Sequence, residues 1–213
     1  SEKDKYREKN KHILAEFKQT ILSFFTKKNI GVALMFMLLF RLGEALLVKM
    51  ASPFLLDDRI QGGLGLTTKQ LGLTYGTIGT SFLVIGGILG GIYASKKGLK
   101  KSLWLMALSV ALPNLAYLFL AYYMPNNIFI INLAVAVEQL GYGFGFTAYM
   151  LYLMYFSEGK YKTTHYAICT GIMALGMMLP GMIAGYLQEY LGYVNFFIWV
   201  ALFTVPIFFV LPF

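Results

Sequence analysis

The chain has 213 residues, of which 58% are hydrophobic and 13% are charged, and its formal net charge is +8. Soluble domains carry about 25% charged residues, so this composition excludes an ordinary soluble domain and favours a polytopic membrane protein. The single cysteine, Cys169, excludes a disulfide framework within the chain. The sequence contains no metal-ligand spacing, phosphate loop or nucleotide motif, so we expect no metal and no cofactor.

The first 29 residues are predicted to form a basic cytoplasmic linker. They are not a signal peptide, because no apolar region and cleavage site follow the charges in the required order. In the second half of this segment, Ile13, Phe17, Ile21, Phe24 and Phe25 fall on one helical face. This pattern predicts an amphipathic helix along the inner membrane surface. An ordinary linker is the alternative.

Residues 30–213 are predicted to form an all-α bundle of six transmembrane helices. Each of six apolar stretches approaches or exceeds the ~20 residues that cross a bilayer as a helix, and none shows the ten-residue alternation of a membrane barrel. Thr67 and Gln70 have the spacing of a capping box and are predicted to open the second helix. The predicted spans are 30–56, 71–95, 103–123, 128–156, 166–187 and 195–213.

The basic residues are unevenly divided between the two sides of these spans. Fourteen lie in the N-terminal segment and in the loops after the second and fourth spans, whereas the opposite loops carry only Arg59 and Lys69. Cytoplasmic loops are enriched in Lys and Arg, so both ends of the sequence are predicted to be cytoplasmic. Membrane topology therefore explains the positive charge, and we expect no nucleic-acid partner.

Four charged residues interrupt the apolar spans. The first span contains Arg41, Glu44 and Lys49, and the fourth contains Glu138. A charge at the membrane centre costs at least ~2.5–3.5 kcal/mol and usually marks a solute or proton pathway. Arg41 and Glu44 are three residues apart and are predicted to share a helix face and to pair. A static ion pair that orients two helices is the alternative.

Spans one to three match spans four to six in the placement of these acids and of glycines. Glycines at four-residue spacing allow helices to approach closely, and the two triplets have opposite orientations, as in the inverted repeat of secondary transporters. The sequence therefore predicts a 3+3 inverted repeat, although the glycines alone are also explained by packing. The glycines concerned are Gly86, Gly87, Gly90 and Gly91 in span two, and Gly171, Gly176, Gly181 and Gly185 in span five.

The loop after the second span, "GGIYASKKGLKK", resembles the cytoplasmic loop signature of the major facilitator superfamily. Gly91 is predicted to allow close helix contact and Gly98 to make a tight turn. Ser95 stands where the superfamily has an acid, which removes a charge from the loop. The matching residues are Gly91, Lys96, Gly98, Lys100 and Lys101.

Longer stretches resemble muropeptide permeases of the AmpG type and, more loosely, acetyl-coenzyme A transporters. They are "LFRLGEALLVKMASPFLL", "GLGLTTKQLG" and the sequence from "VEQLGYGFGF" to "GYVNFFIW". Glu44, Glu138 and Thr164 match family positions.

The chain departs from the family at Met177, where an arginine is usual, and at His165, where glutamine is usual. Arg41 and Lys49 are additional charges for the family helix that the first of these stretches resembles. The loss of one cavity cation and the gain of others favour a changed substrate.

The resemblance implies that the chain is the C-terminal six-helix half of a permease, partnered by a missing N-terminal half. It implies alternating-access, proton-driven import of anhydro-muropeptides or related sugar derivatives across the bacterial inner membrane. Glu138 is the predicted proton-linked acid, and Arg41 the predicted contact for an anionic solute. Tyr142, Tyr149 and Asn114 are predicted to line the cavity, with aromatic packing as the alternative for the tyrosines.

Other functions remain open at this stage. A transporter of an acyl-coenzyme A or another sugar fits the same pattern. A membrane-embedded enzyme would place its polar residues near one membrane face rather than inside the spans, so we expect no enzyme. A scaffold would not need charges in two repeat-related helices, and a channel is not formally excluded. His165 and Cys169 lack the third group that an activated thiol requires.

Overall fold

The computed structural model describes residue 16 and residues 18–211, and all regular secondary structure within them is helical. The final apolar stretch, Lys162–Val210, is divided at Gly192, whose φ of 73° and ψ of 164° interrupt the helix. It therefore forms α5 (162–191) and α6 (193–210). The prediction of an all-α fold with six apolar spans is confirmed. The other helices are α1 (Ile30–Leu56), α2 (Thr68–Lys97), α3 (Leu99–Tyr123) and α4 (Ile128–Ser157).

The turns between helices follow the local chemistry of the sequence. Thr67 and Gln70 form the predicted capping box, in which each side chain bonds the other's backbone N–H, and the helix begins at Thr68. Gly98, with φ of 76°, makes the predicted turn between α2 and α3. Within α2, residues Gly72–Gly79 are π-helical, which the sequence did not predict.

The packing of α1 is the first half of a repeated arrangement. This helix lies beside α5 and α6, and the order of its contacts shows that it runs parallel to α5 and antiparallel to α6. The contacting pairs are Leu38–Gly176 and Ala45–Gly181 with α5, and Gly43–Thr204 and Phe54–Tyr193 with α6.

The packing of α4 repeats this arrangement with the other two helices. It runs parallel to α2 and antiparallel to α3, so α4, α2 and α3 correspond to α1, α5 and α6. This exchange of partners is what a 3+3 inverted repeat requires. The contacting pairs are Val135–Gly79, Leu140–Gly86 and Phe144–Gly90 with α2, and Gly141–Pro113 and Gly145–Met106 with α3.

The two parallel interfaces differ in tightness. A Cβ atom at Gly86 would lie 2.1 Å from the carbonyl oxygen of Leu140, whereas a Cβ atom at Gly176 would lie 3.5 Å from its nearest neighbour. The α2–α4 contact is therefore closer than the α1–α5 contact. The prediction that Gly91 mediates close helix contact is wrong, because nothing lies within 4 Å of its Cβ position; Gly90 makes the contact instead.

The described part of the N-terminal segment packs against the bundle. Residues 18–25 are helical, and the fully buried ring of Phe24 lies 5.8 Å from Phe156 and 5.5 Å from His165, between ring centroids. Phe25 is half exposed. Ile13 and Phe17 of the predicted apolar face lie outside the described residues. Phe24 thus faces protein, and the placement of this helix on a membrane surface remains a prediction.

Candidate functional site

A polar layer divides the apolar core at the middle of the bundle. One hydrophobic cluster includes Phe40 and the preceding part of α1, and the other begins at Leu46. Between them lie Arg41 and Glu44, near the middle of the 27-residue helix Ile30–Leu56. Glu138 is buried near the middle of α4. Buried charges at this depth are costly in a bilayer, so the layer is the candidate site.

Arg41 and Glu44 form a buried ion pair. Their side chains are 3% and 1% exposed, and Arg41 Nη1 lies 2.8 Å from Glu44 Oε2. The same nitrogen donates to the Tyr142 hydroxyl at 3.1 Å, and Arg41 Nη2 contacts Met177 Sδ. The spacing of three residues predicted the pairing. The contacts also join α1 to α4 and α5.

Aromatic rings surround the guanidinium group of Arg41. Its Cζ atom lies 4.9 Å from the ring centroid of Phe146, 5.6 Å from that of Tyr142 and 6.0 Å from that of Tyr149. A cation over aromatic faces at these distances is stabilised, and more so where water is excluded. These rings compensate part of the cost of burying the charge.

The ion pair leaves two buried polar atoms without a partner. Among the described residues, neither Arg41 Nε nor Glu44 Oε1 has a hydrogen-bond partner. An unsatisfied buried donor or acceptor costs about 1–3 kcal/mol. The pair therefore retains one buried donor and one buried acceptor that no described protein group satisfies.

Glu138 has a different environment at the same depth. It is 2% exposed, and its Oε2 accepts a hydrogen bond of 2.9 Å from Gln139 Nε2, which also lies 3.2 Å from the Tyr75 hydroxyl. Within the described residues it forms no ion pair. A carboxylate in this setting is stabilised by protonation or by an incoming cation.

Gln139 and Tyr75 were missed by the sequence analysis. Gln139 directly follows Glu138 in an otherwise apolar span, so a second polar residue beside the acid was the available signal. Tyr75 lies in the π-helical part of α2, and no sequence pattern marks it as a partner of α4.

The other residues predicted to line the cavity do not form hydrogen bonds with Arg41 Nε or Glu44 Oε1, the two atoms of the ion pair that lack a partner. Lys49 is exposed. Tyr149 is fully buried and donates to the Met37 carbonyl oxygen at 2.9 Å, although its ring lies beside Arg41. Asn114 on α3 is 2% exposed, and its Nδ2 has no partner among the described residues.

The loop that resembles the facilitator signature lies between α2 and α3. Ser95 donates to the carbonyl oxygen of Ile92 at 2.8 Å, so it closes a helical turn rather than engaging another element. Lys96, Lys100 and Lys101 are exposed. The loop therefore presents positive charge at one end of the bundle.

His165 and Cys169 do not form a reactive pair. His165 Nε2 lies 3.0 Å from Ser23 Oγ and 3.3 Å from the carbonyl oxygen of Thr20, whereas Cys169 Sγ accepts from Ser157 at 3.5 Å. The histidine thus joins the N-terminal helix to α5. The search for clusters of three metal-ligating side chains, confined to the described residues, finds none.

The chain is homologous to AmpG-type permeases, which confirms the resemblance seen in the sequence. It is 31% identical to a Rickettsia felis protein with the provisional name transporter AmpG 2, over 89% of this chain and 46% of the relative. It is 27% identical to transporter AmpG 1 of the same organism, also a provisional name, over 81% of this chain and 38% of the relative. It is 25% identical to the anhydromuropeptide permease of Escherichia coli K12, over 86% of this chain and 36% of the relative.

These relatives are named as transporters or permeases, in agreement with a function other than catalysis. The chain spans less than half the length of the curated relatives that it matches. No model of a known protein family matches it.

Proposed function

We propose that this chain is the C-terminal six-helix half of a proton-driven importer of anhydro-muropeptides or related sugar derivatives. The observation that carries the proposal is the layer of buried charge on the repeat-related helices α1 and α4. The permease relatives and the fraction of their length that the chain spans support it. In this proposal a second six-helix half completes the transporter in the cell membrane, and both ends of the present sequence are cytoplasmic.

The charges of the polar layer suggest how solute and proton are coupled. The layer holds one buried cation, Arg41, which pairs with Glu44, and a second buried carboxyl group, Glu138. When an anionic group of the solute binds Arg41, a third negative charge enters a buried layer where charge is costly. Uptake of a proton by Glu138 offsets that charge. Solute and proton then bind together more favourably than either binds alone, which is the thermodynamic basis of coupling.

The ion pair supplies the change of state. In the structure Arg41 donates to Glu44, and in the proposal this pairing belongs to the state before solute binds. In the loaded state the solute's anionic group takes its place, and Tyr142 holds the guanidinium group in position from α4. Because these residues join helices of both repeats, their rearrangement biases how one half of the transporter rocks against the other around the midplane.

One observation favours a second candidate solute class. Met177 contacts Arg41 at a position where the family usually has an arginine, so the cation of the layer comes from α1 rather than α5. A solute whose anionic group is placed differently, such as an acyl-coenzyme A or another sugar derivative, is the alternative.

Uptake of labelled anhydro-muropeptide by cells producing the intact permease tests the proposal. We expect uptake that a protonophore abolishes. In Glu138→Gln, downhill exchange is retained, whereas accumulation driven by a proton gradient falls at least tenfold. The matched control is Glu158→Gln, which removes an exposed carboxylate beyond α4. Uptake by Glu138→Gln that still follows the proton gradient excludes Glu138 as the coupling acid. No uptake by the wild type, with the protein present in the membrane, excludes the muropeptide.

A further inference from the structure

A crevice opens at one end of the bundle, away from the polar layer. It has a volume of about 390 Å³ and lies between the first turns of α1 and α3 and the last turns of α4 and α6. Leu103 and Val210 contribute apolar walls, and the rings of Phe36 and Tyr152, with centroids 4.3 Å apart, also line it. Lys100 is the charged residue among its lining side chains.

The mouth of the crevice carries a concentration of positive charge. Lys100, in the first turn of α3, lines the crevice. Lys96, Lys97 and Lys101 are its neighbours in the sequence, and all four lysines are exposed. No ion pair to any of these four lysines occurs in the part of the chain that the structure describes. The crevice therefore combines an apolar interior with a cationic residue at its rim.

Aromatic side chains place the mouth at the depth of a membrane interface. Tyr155, which lines the crevice, is 64% exposed, and Trp104 on the same end of α3 is 47% exposed. Tyr and Trp are enriched where the hydrocarbon layer meets the headgroups. A ligand entering here thus meets lysines at headgroup depth and apolar walls below them.

We propose that this crevice is a binding site for an anionic phospholipid, whose acyl chain lies between α1, α3, α4 and α6 and whose phosphate is bound by Lys100. A soluble anion would use the lysine but leave the apolar walls uncovered. A zwitterionic lipid would fill the walls but gain less from the cationic rim. An anionic amphiphile uses both features, and the basic residues of this loop match the negative charge of a cytoplasmic leaflet. The site is independent of which solute the permease carries.

Lipid binding to the purified intact permease, followed by native mass spectrometry in detergent, tests this assignment. The probes are phosphatidylglycerol and phosphatidylcholine with identical acyl chains. We expect the wild type to prefer phosphatidylglycerol, and Lys100→Gln to lower its apparent affinity about fivefold. Lys162→Gln removes an equally exposed lysine that does not line the crevice, and we expect it to bind as the wild type does. Circular dichroism of each variant checks that the fold is retained.

Three outcomes overturn the proposal. The first two are an equal loss of phosphatidylglycerol binding in Lys100→Gln and Lys162→Gln and no loss in either variant, because the crevice would then make no special contribution. The third is competition by soluble glycerol phosphate at concentrations similar to the lipid's, because the apolar walls would then contribute nothing. Failure of muropeptide uptake leaves the lipid measurement unaffected, so the two proposals fail separately.

Discussion

The two carboxyl groups in the polar layer are equally buried but have different partners. Glu44 lies beside Arg41 on the same helix at 2.8 Å, whereas Glu138, on the repeat-related helix α4, accepts from the neutral amide of Gln139. Neither exceeds 2% exposure. Burial alone therefore does not assign a role. The charge of Glu44 is compensated by a cation, and that of Glu138 is not.

The helices that carry these two acids also differ in how tightly they pack. At the α2–α4 interface, a Cβ atom added to Gly86 would lie 2.1 Å from a backbone oxygen of α4. At the corresponding α1–α5 interface, a Cβ atom added to Gly176 would lie 3.5 Å from its nearest neighbour. Arg41 and Glu44 thus lie on a helix of the looser interface. We infer that the contacts of α1 with α5 allow the proposed rearrangement of Arg41, and that the α2–α4 interface is the more rigid of the two.

The largest expected effect comes from removing the cation alone. Arg41→Met leaves Glu44 buried without a positive partner, and we expect the free energy of unfolding to fall by about 3–5 kcal/mol. The double variant Arg41→Met/Glu44→Leu removes both charges, so we expect it to regain most of that stability while remaining inactive in uptake. Reversible unfolding in mixed micelles measures the stability of both variants. A double variant no more stable than the single one would show that charge compensation is not the function of the pair.

Substitutions of interface glycines test the difference in packing, with an intermediate effect. We expect Gly86→Ala to destabilise by about 1–3 kcal/mol, because the added methyl group meets the Leu140 carbonyl and forces the helices apart. Gly176→Ala adds the same methyl group at an ordinary contact distance, and we expect a change below about 0.5 kcal/mol. Equal losses in the two variants, measured in the same unfolding assay, would contradict a tighter α2–α4 interface.

Much of the fold follows from local properties of the sequence. Hydropathy located the six spans to within a few residues of their observed ends, and the capping box at Thr67 and the turn at Gly98 depend on neighbouring residues alone. The pairing of Arg41 with Glu44 follows from a spacing of three along one helix. Such features need no knowledge of how the helices are arranged.

The remaining features of the site depend on helix rotation and tertiary packing. Tyr142 reaches Arg41 across 101 positions of sequence, and Gln139 bonds a tyrosine from a π-helical stretch of α2. Lys49 is exposed although it lies in the same span as Arg41, and both residues lie near α5, beside Gly181 and Gly176 respectively. Hydropathy and spacing do not determine how each helix is rotated about its axis, so these contacts were beyond sequence analysis.

A small expected change in stability at Glu138 distinguishes the two acids directly. Glu138→Gln exchanges a carboxylate for an amide that still accepts from Gln139, and no cation loses a partner, so we expect the free energy of unfolding to change by less than about 1 kcal/mol. Glu44→Gln leaves Arg41 buried without a countercharge, and we expect a loss of several kcal/mol, about as large as for Arg41→Met. The comparison uses the same substitution, at the same burial, on repeat-related helices. If both variants lose stability equally, Glu138 also has a compensating charge and is a structural acid like Glu44. If only Glu44→Gln loses stability while Glu138→Gln loses proton-driven accumulation, the stabilising acid and the coupling acid are different residues, one in each repeat.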